Sequence, residues 1–130
     1  MADMARFLYV CLAGAAGTGC RYLLSGWVPR IAGPSFPWGT LAVNVLGSFL
    51  LGLLMQLALS TELVSPALRV VLGIGFLGGF TTYSSFNYET LRLLEERSWA
   101  LAAGNVAGTL VGCLLAGLGG VALARWLAGA

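Results

Sequence analysis

The chain alternates between long apolar runs and short polar connections, and this pattern predicts its architecture. Four apolar runs cover residues 7–24, 36–59, 68–94 and 99–127. A helix that crosses the hydrocarbon core of a bilayer needs about 17–25 residues, and each run reaches that length. The pattern therefore predicts an all-α membrane protein with four transmembrane helices. Because the connections are short, residues 1–130 are expected to form a single four-helix domain.

Composition supports the same assignment. Apolar residues make up 58% of the chain and charged residues only 9%. So few charged side chains cannot cover the surface of a soluble domain of this size, so the chain is expected to be an integral membrane protein.

The basic residues lack the asymmetry that normally orients a membrane protein. All seven are arginine. The predicted helices place Arg6, Arg69 and Arg125 towards one side, Arg21, Arg30 and Arg97 towards the other, and Arg92 further inside the third run. Orientation follows the bias of Lys and Arg between the two sides, and here there is almost none. The balance favours dual topology, in which two copies insert in opposite senses and form an antiparallel homodimer. The alternative is that other features select one orientation.

The third apolar run is interrupted by residues that are unusual in a membrane helix. Its middle reads GGFTTYSSFNYE, residues 78–89. Paired glycines favour local unwinding, and the Thr and Ser hydroxyls can bond to backbone groups that leave the helix. Irregular backbone is tolerated in a membrane only where it faces protein or a water-filled path. We therefore expect the third helix to be broken near its centre, with an ion or substrate site near the bilayer midplane.

Small residues recur at spacing four in two of the runs. The fourth run contains the column Gly104, Gly108, Gly112, Ala116 and Gly120, and the second contains Thr40, Asn44, Ser48 and Gly52. Such columns most often indicate close helix packing. The amides of Asn44 and Asn105 need polar partners in apolar surroundings, either from another helix or from a ligand.

The inventory of reactive side chains excludes several functions. The chain has no histidine, no CxxC pair and no cluster of carboxylates. The usual metal-ligand sets and the Ser-His-Asp or Cys-His nucleophiles are therefore missing, and we expect no enzyme activity. No basic patch suggests nucleic acid as a partner.

The centre of the predicted bundle offers neutral hydrogen-bond donors. Glu89 and Arg92 lie towards the end of the third run, where a pairing between them at spacing three is expected. The remaining polar groups are Asn44, Thr109 and the hydroxyls of the third run, beside the rings of Phe80, Tyr83 and Phe86. Amide N–H groups, hydroxyls and the positive edges of aromatic rings favour an anion without binding it by full charge. The pattern therefore predicts an anion path.

These segments resemble the Fluc (CrcB) family of fluoride channels over nearly the whole chain. The likeness lies in GAAGTGCRY, WGTLAVNVLGSFLLGLL, GFLGGFTTYSSFNYE and NVAGTLVGCLLAG, one segment in each apolar run. The resemblance implies a dual-topology homodimer in the inner or plasma membrane of a prokaryote, with lipid around it and two fluoride pores at the dimer interface. It also implies a structural Na⁺ on the two-fold axis. The expected activity is passive export of fluoride that enters as HF and ionises in the cytoplasm.

The resemblance also assigns roles to individual residues. Backbone carbonyls of Gly78 and Thr81 are expected to bind the Na⁺, and Asn44 is expected to donate to fluoride. Tyr83 replaces the first of two pore-lining phenylalanines of the family, and Phe86 matches the second. The other expected pore positions are Ser84, Ser85 and Thr109, and Arg21 corresponds to a vestibule charge that attracts anions.

Two other functions remain open at this point. A small four-helix multidrug-type transporter shares the size and the dual topology, but it would require a carboxylate in the first span, which offers Arg21 instead. An accessory subunit that packs against a larger channel through the glycine column is also compatible with the composition. Fluoride efflux from liposomes that hold this chain alone would separate the three.

Overall fold

The computed structural model describes residues 2–129, and the secondary structure in this range is helical throughout. Within these residues, four helices are long and apolar enough to cross a membrane, which confirms the predicted number of spans and indicates a multi-pass membrane protein. The first, second and fourth spans are α1 (Ala2–Ala32), α2 (Trp38–Ser60) and α6 (Trp99–Leu127). The third consists of α3 (Pro66–Val70), a π-helix (Val71–Leu77), α4 (Gly78–Phe80) and α5 (Tyr83–Glu95).

Helix α1 is longer than the apolar run that predicted it. The run covers residues 7–24, whereas α1 begins at Ala2 and ends at Ala32. Asp3 lies in its first turn and Arg30 in its last, where each charge has the sign that suits the helix dipole. Gly33 follows with a φ of 93°, a left-handed conformation that commonly ends a helix. Hydropathy therefore located the span but missed its polar ends.

Helices α2 and α6 approach each other closely through small residues. A Cβ atom on Gly120 would clash with the Phe49 carbonyl oxygen, and one on Gly52 would clash with the carbonyl oxygen of Gly117. A Cβ on Gly112 would lie 3.3 Å from a methyl group of Val45. The predicted packing role of the small-residue columns is confirmed for these positions: at Gly52 and Gly120 only glycine allows such approach of two backbones, and at Gly112 it makes room for a side chain.

The π-helix packs against α1 and was not predicted from the sequence. Its end is marked by the Gly78 N–H, which reaches back five residues to the Gly73 carbonyl. A Cβ on Gly75 would lie 2.9 Å from both Ala13 Cβ and the Val10 carbonyl oxygen. The same apolar sequence is compatible with an α-helix and with a π-helix, so its hydropathy and periodicity could not distinguish the two hydrogen-bonding patterns.

Candidate functional site

The third span is broken at Thr81 and Thr82, both of which have extended backbone. Their ψ angles are 157° and 115°, between α4 on one side and α5 on the other. Asn44, on α2, bonds to Thr82 twice: Nδ2 donates to the Thr82 carbonyl at 2.9 Å, and the Thr82 N–H donates to Oδ1 at 2.8 Å. The predicted break is thus present. The N–H and the carbonyl of Thr82 are both satisfied by the Asn44 amide, which finds here the polar partner that it was expected to require.

The hydroxyl of Thr82 then begins the next helix. Thr82 Oγ1 accepts from the Ser85 N–H at 3.2 Å and lies 3.1 Å from Ser85 Oγ, which makes Thr82 the N-cap of α5. Thr82 Oγ1 also lies 3.3 Å from Ser84 Oγ. Ser84 and Ser85 therefore form a hydroxyl cluster with the capping residue.

These diverted hydrogen bonds free two carbonyl groups. In a continuous helix, the Gly78 carbonyl would accept from the Thr82 N–H and the Thr81 carbonyl from the Ser85 N–H. Here the first N–H binds Asn44 and the second binds the Thr82 hydroxyl. Uncharged carbonyl oxygens are suitable ligands for a hard cation, and half-helix ends supply them in membrane proteins. The donor set at Gly78 and Thr81 is thus compatible with Na⁺.

A cavity of about 480 Å³ lies beside the break. Of the residues predicted from the sequence, Asn44, Gly78, Thr81, Tyr83, Phe86 and Thr109 line it, whereas Ser84, Ser85 and Arg21 do not. The lining also includes Ser48 and Cys113, which were not expected at the pore, and Thr82, which was expected only as one of the hydroxyls of the third run. Within residues 2–129, every side chain that lines the cavity is uncharged. The cavity therefore combines neutral polar groups with apolar walls.

The aromatic rings near the break divide between two environments. Tyr83 and Phe86 line the cavity with their centroids 5.5 Å apart in an edge-to-face arrangement; Tyr83 is 76% exposed and Phe86 only 7%. Phe80 instead stacks on Phe76 and is buried away from this cavity. The expectation that Phe80 lines the path is therefore wrong. The extended residues 81 and 82 lie between Phe80 and α5, so its ring does not share the surroundings of the two rings on α5.

Arg21 is half-buried against the break. Its Nε donates to the Gly79 carbonyl at 3.1 Å, and Thr18 Oγ1 lies 3.3 Å from the same oxygen. The family resemblance assigned Arg21 to a vestibule charge and did not include this main-chain contact. The signal that could have indicated the contact was the spacing of Gly14, Gly17, Thr18 and Arg21, which places them on one face of α1.

The expected pairing of Glu89 with Arg92 is wrong. Glu89 Oε1 accepts from Thr40 Oγ1 on α2 at 2.7 Å, and within the described range its other oxygen is buried with no hydrogen-bond partner. Arg92 bonds instead to Glu96 at 2.8 Å, one turn further along. The third span packs its Glu89 face against α2, so a partner on another helix replaces the local one.

Asn105 is satisfied in the same way, by a side chain from a neighbouring helix. It is 2% exposed, and its Nδ2 donates to Thr90 Oγ1 at 2.9 Å. The Thr90 hydroxyl donates in turn to the Phe86 carbonyl at 2.8 Å. Of the two alternatives for the buried amides, another helix supplies the observed partner of both Asn44 and Asn105.

Comparison with known proteins adds a family-level finding to this geometry. The family described as CrcB-like protein, camphor resistance (CrcB), matches residues 8–121. A protein of Anaeromyxobacter sp. (strain K) named fluoride-specific ion channel FluC is 57% identical over 97% of this chain and 100% of its own length. Proteins of the same name from Sorangium cellulosum and Geotalea daltonii are 57% and 50% identical over 95% of the chain, which covers 98% and 100% of theirs.

Proposed function

Since the chain belongs to the CrcB-like protein family, we propose that it is a fluoride-specific ion channel that lowers cytoplasmic fluoride by passive export. The family consists of ion channels and not of enzymes. The observation that supports the proposal most directly is the uncharged cavity beside the helix break. It is lined by an amide, by hydroxyls and by a buried aromatic ring, which together suit a small anion.

Three side chains are proposed to conduct the anion. The Asn44 amide has two N–H groups, and the Thr82 carbonyl accepts from this nitrogen, so a second N–H is available to fluoride. The hydroxyl of Thr109 on α6 supplies a further donor, and Phe86 presents a ring in the same cavity. Neutral donors hold an anion weakly enough for release, which conduction requires. Ser84 and Ser85, outside the cavity lining, are proposed to extend this polar path through the hydroxyl cluster at Thr82.

The conducting unit is proposed to be an antiparallel homodimer. The cavity opens on the surface of one chain, where Gly78 and Tyr83 are exposed. Backbone and hydroxyl groups at such a surface are poorly suited to contact with lipid tails, so a second copy is the proposed cover. The nearly even division of arginines between the two sides supports insertion in both senses.

A structural Na⁺ is proposed to join the two copies. The carbonyls of Gly78 and Thr81 from each subunit would supply four oxygens to the ion. When bound, the ion would compensate the partial negative charges of these carbonyls and so favour association of the two subunits. The support for this site is the diversion of the Thr82 and Ser85 N–H groups to other acceptors.

The physiological role follows from the acid–base chemistry of fluoride. HF crosses lipid as a neutral molecule and ionises in a neutral cytoplasm, where the anion is trapped. An open pore in the inner or plasma membrane of a prokaryote would let the membrane potential drive fluoride out without an energy-coupled step.

Proteoliposomes that contain only this chain test the function. Vesicles loaded with fluoride or chloride are diluted into ion-free medium, a potassium ionophore balances the charge, and each anion is followed by a selective electrode. Rapid fluoride efflux without chloride efflux is expected, and protein-free vesicles serve as the control. Equal efflux of both anions would contradict the selectivity. Absence of fluoride efflux would favour an accessory subunit, whereas proton-coupled uptake of an organic cation would favour a multidrug-type transporter.

A further inference from the structure

The first span donates hydrogen bonds to the backbone carbonyl of Gly79. In the sequence, Gly79 lies between the two residues that are proposed to bind Na⁺. In a continuous helix, the Gly79 carbonyl would accept from the N–H of residue 83. Because Thr81 and Thr82 are extended, this carbonyl instead accepts from Arg21 Nε and Thr18 Oγ1 on α1. We infer that Thr18 and Arg21 are positioning residues that fix the broken backbone for ion binding. This inference rests on the proposed Na⁺ site.

Gly17 on α1 and Gly79 on the third span let the two backbones approach closely enough for these contacts. A Cβ on Gly79 would clash with the Gly14 carbonyl oxygen, and a Cβ on Gly17 would clash with that of Phe76. Gly14, Gly17, Thr18 and Arg21 follow one another at the spacing of a single helical face. The short hydroxyl of Thr18 reaches the Gly79 carbonyl only because the two backbones are in contact. The face of α1 that touches the break is therefore composed of two glycines and two donors.

The two donors determine which carbonyls remain available for a cation. A break in a helix frees several successive carbonyls, and glycine lets its peptide groups rotate easily. The Gly79 carbonyl is occupied by a hydroxyl and by a cationic guanidinium, so it is removed from competition for a positive ion. The carbonyls of Gly78 and Thr81, whose helical donors are diverted, stay free. Loss of either donor should let the Gly79 peptide reorient and disturb the ligand geometry on both sides.

This positioning role differs from that of a vestibule charge. A charge that only attracts anions should tolerate lysine in place of Arg21, because lysine retains the positive charge. Lysine lacks the planar Nε–H that donates to the Gly79 carbonyl. Thr18→Val changes no charge and almost no volume, yet it removes the second donor. Ser25→Ala is the matched control, because the Ser25 hydroxyl lies on the same helix and bonds only within it, to the carbonyls of Arg21 and Tyr22.

The first experiment measures fluoride efflux from proteoliposomes as a function of Na⁺ concentration. One lost neutral hydrogen bond corresponds to about a fivefold change in an equilibrium, and one lost charge-assisted bond to about tenfold or more. We expect Thr18→Val to raise the Na⁺ concentration for half-maximal efflux about fivefold and Arg21→Lys to raise it at least about tenfold. Ser25→Ala should match the wild type. An unchanged Na⁺ requirement in both Thr18→Val and Arg21→Lys would overturn the inference.

Amide hydrogen exchange separates this inference from the proposed function. It is measured by mass spectrometry in detergent, without fluoride, on a peptide covering residues 78–86. We expect faster exchange in Thr18→Val and Arg21→Lys than in the wild type and Ser25→Ala. If wild-type efflux is independent of Na⁺ but exchange accelerates as expected, the Na⁺ proposal fails and the positioning of the break by α1 stands. Exchange that is unchanged in both variants overturns the positioning role, whatever the wild-type channel conducts.

Discussion

Asn44→Asp changes one nitrogen to oxygen in a side chain that serves both the helix break and the proposed pore. The Thr82 N–H can still donate to a carboxylate oxygen, so the 2.8 Å bond is retained. The 2.9 Å bond to the Thr82 carbonyl is replaced by a contact between two acceptors. Because Asn44 is only 8% exposed, water hydrates poorly both the new charge and the Thr82 carbonyl that has lost its donor.

The magnitude follows from these contacts. Loss of one hydrogen bond together with an unsatisfied carbonyl costs about 2–4 kcal/mol, a factor of about 30 to 1,000 if the cost falls on the conducting conformation. The carboxylate also repels an anion in the same cavity. We therefore expect fluoride efflux to fall by at least about 100-fold while some dimer still forms.

The assay is fluoride efflux from proteoliposomes, with the dimer followed by size-exclusion chromatography. Gln56→Glu on the same helix is the matched control, since it makes the same exchange of amide for carboxylate outside the cavity lining. Efflux in Asn44→Asp at the wild-type rate would refute the assignment of Asn44 to the pore. If Asn44→Asp yields no folded protein, the result shows only that Asn44 supports the helix break. Asn44→Leu, which removes the donor without adding charge, would then have to reduce efflux for the assignment of Asn44 to the pore to stand.

Three further outcomes are expected. Phe86→Ile should slow fluoride efflux several-fold without loss of the dimer, because it removes the ring edge from the cavity and keeps the wall apolar; unchanged efflux would remove Phe86 from the pore. Gly78→Val should weaken the dimer or abolish its Na⁺ dependence, although within one chain a Cβ there meets only the Gly73 carbonyl at 3.8 Å, so a normal Na⁺-dependent dimer would contradict the proposed two-fold site. Gly120→Leu should lower the thermal unfolding temperature of the protein because its side chain would meet the Phe49 carbonyl, and an unchanged unfolding temperature would argue against the close packing of α2 and α6.

The sequence predicted those features that depend on hydropathy and on local backbone preference. The four spans follow from apolar run length, and the break at Thr81 and Thr82 follows from the paired glycines before it and the hydroxyls around it. The need of Asn44 for a partner could also be predicted, because an amide in an apolar run has few alternatives. That its partner is the main chain of Thr82 could not, since this depends on how far α2 lies from the third span.

The incorrect expectations share a different physical cause. Glu89 was expected to pair with Arg92 because of their spacing along one helix, whereas its observed partner is the Thr40 hydroxyl on a different helix. Phe80 was grouped with Tyr83 by its position in the sequence, although the extended residues between them turn the two rings into different surroundings. Periodicity describes one regular helix, so it loses its phase where the backbone leaves that helix and says little about contacts between helices.

The close glycine contacts reverse the usual direction of mutational sensitivity. In a core filled by large side chains, truncation leaves a cavity and is the damaging change. Here the buried apolar side chains of the described range are only Val43, Leu77, Leu93, two phenylalanines and two alanines, while many other leucines lie exposed on the outside of the bundle. Replacing an outer leucine by alanine leaves the helix contacts intact. Adding a single methyl group at Gly17 or Gly120 would push two backbones apart. Under random substitution and selection, smaller side chains should therefore accumulate on the exterior of this chain. Larger side chains should be eliminated from its interior.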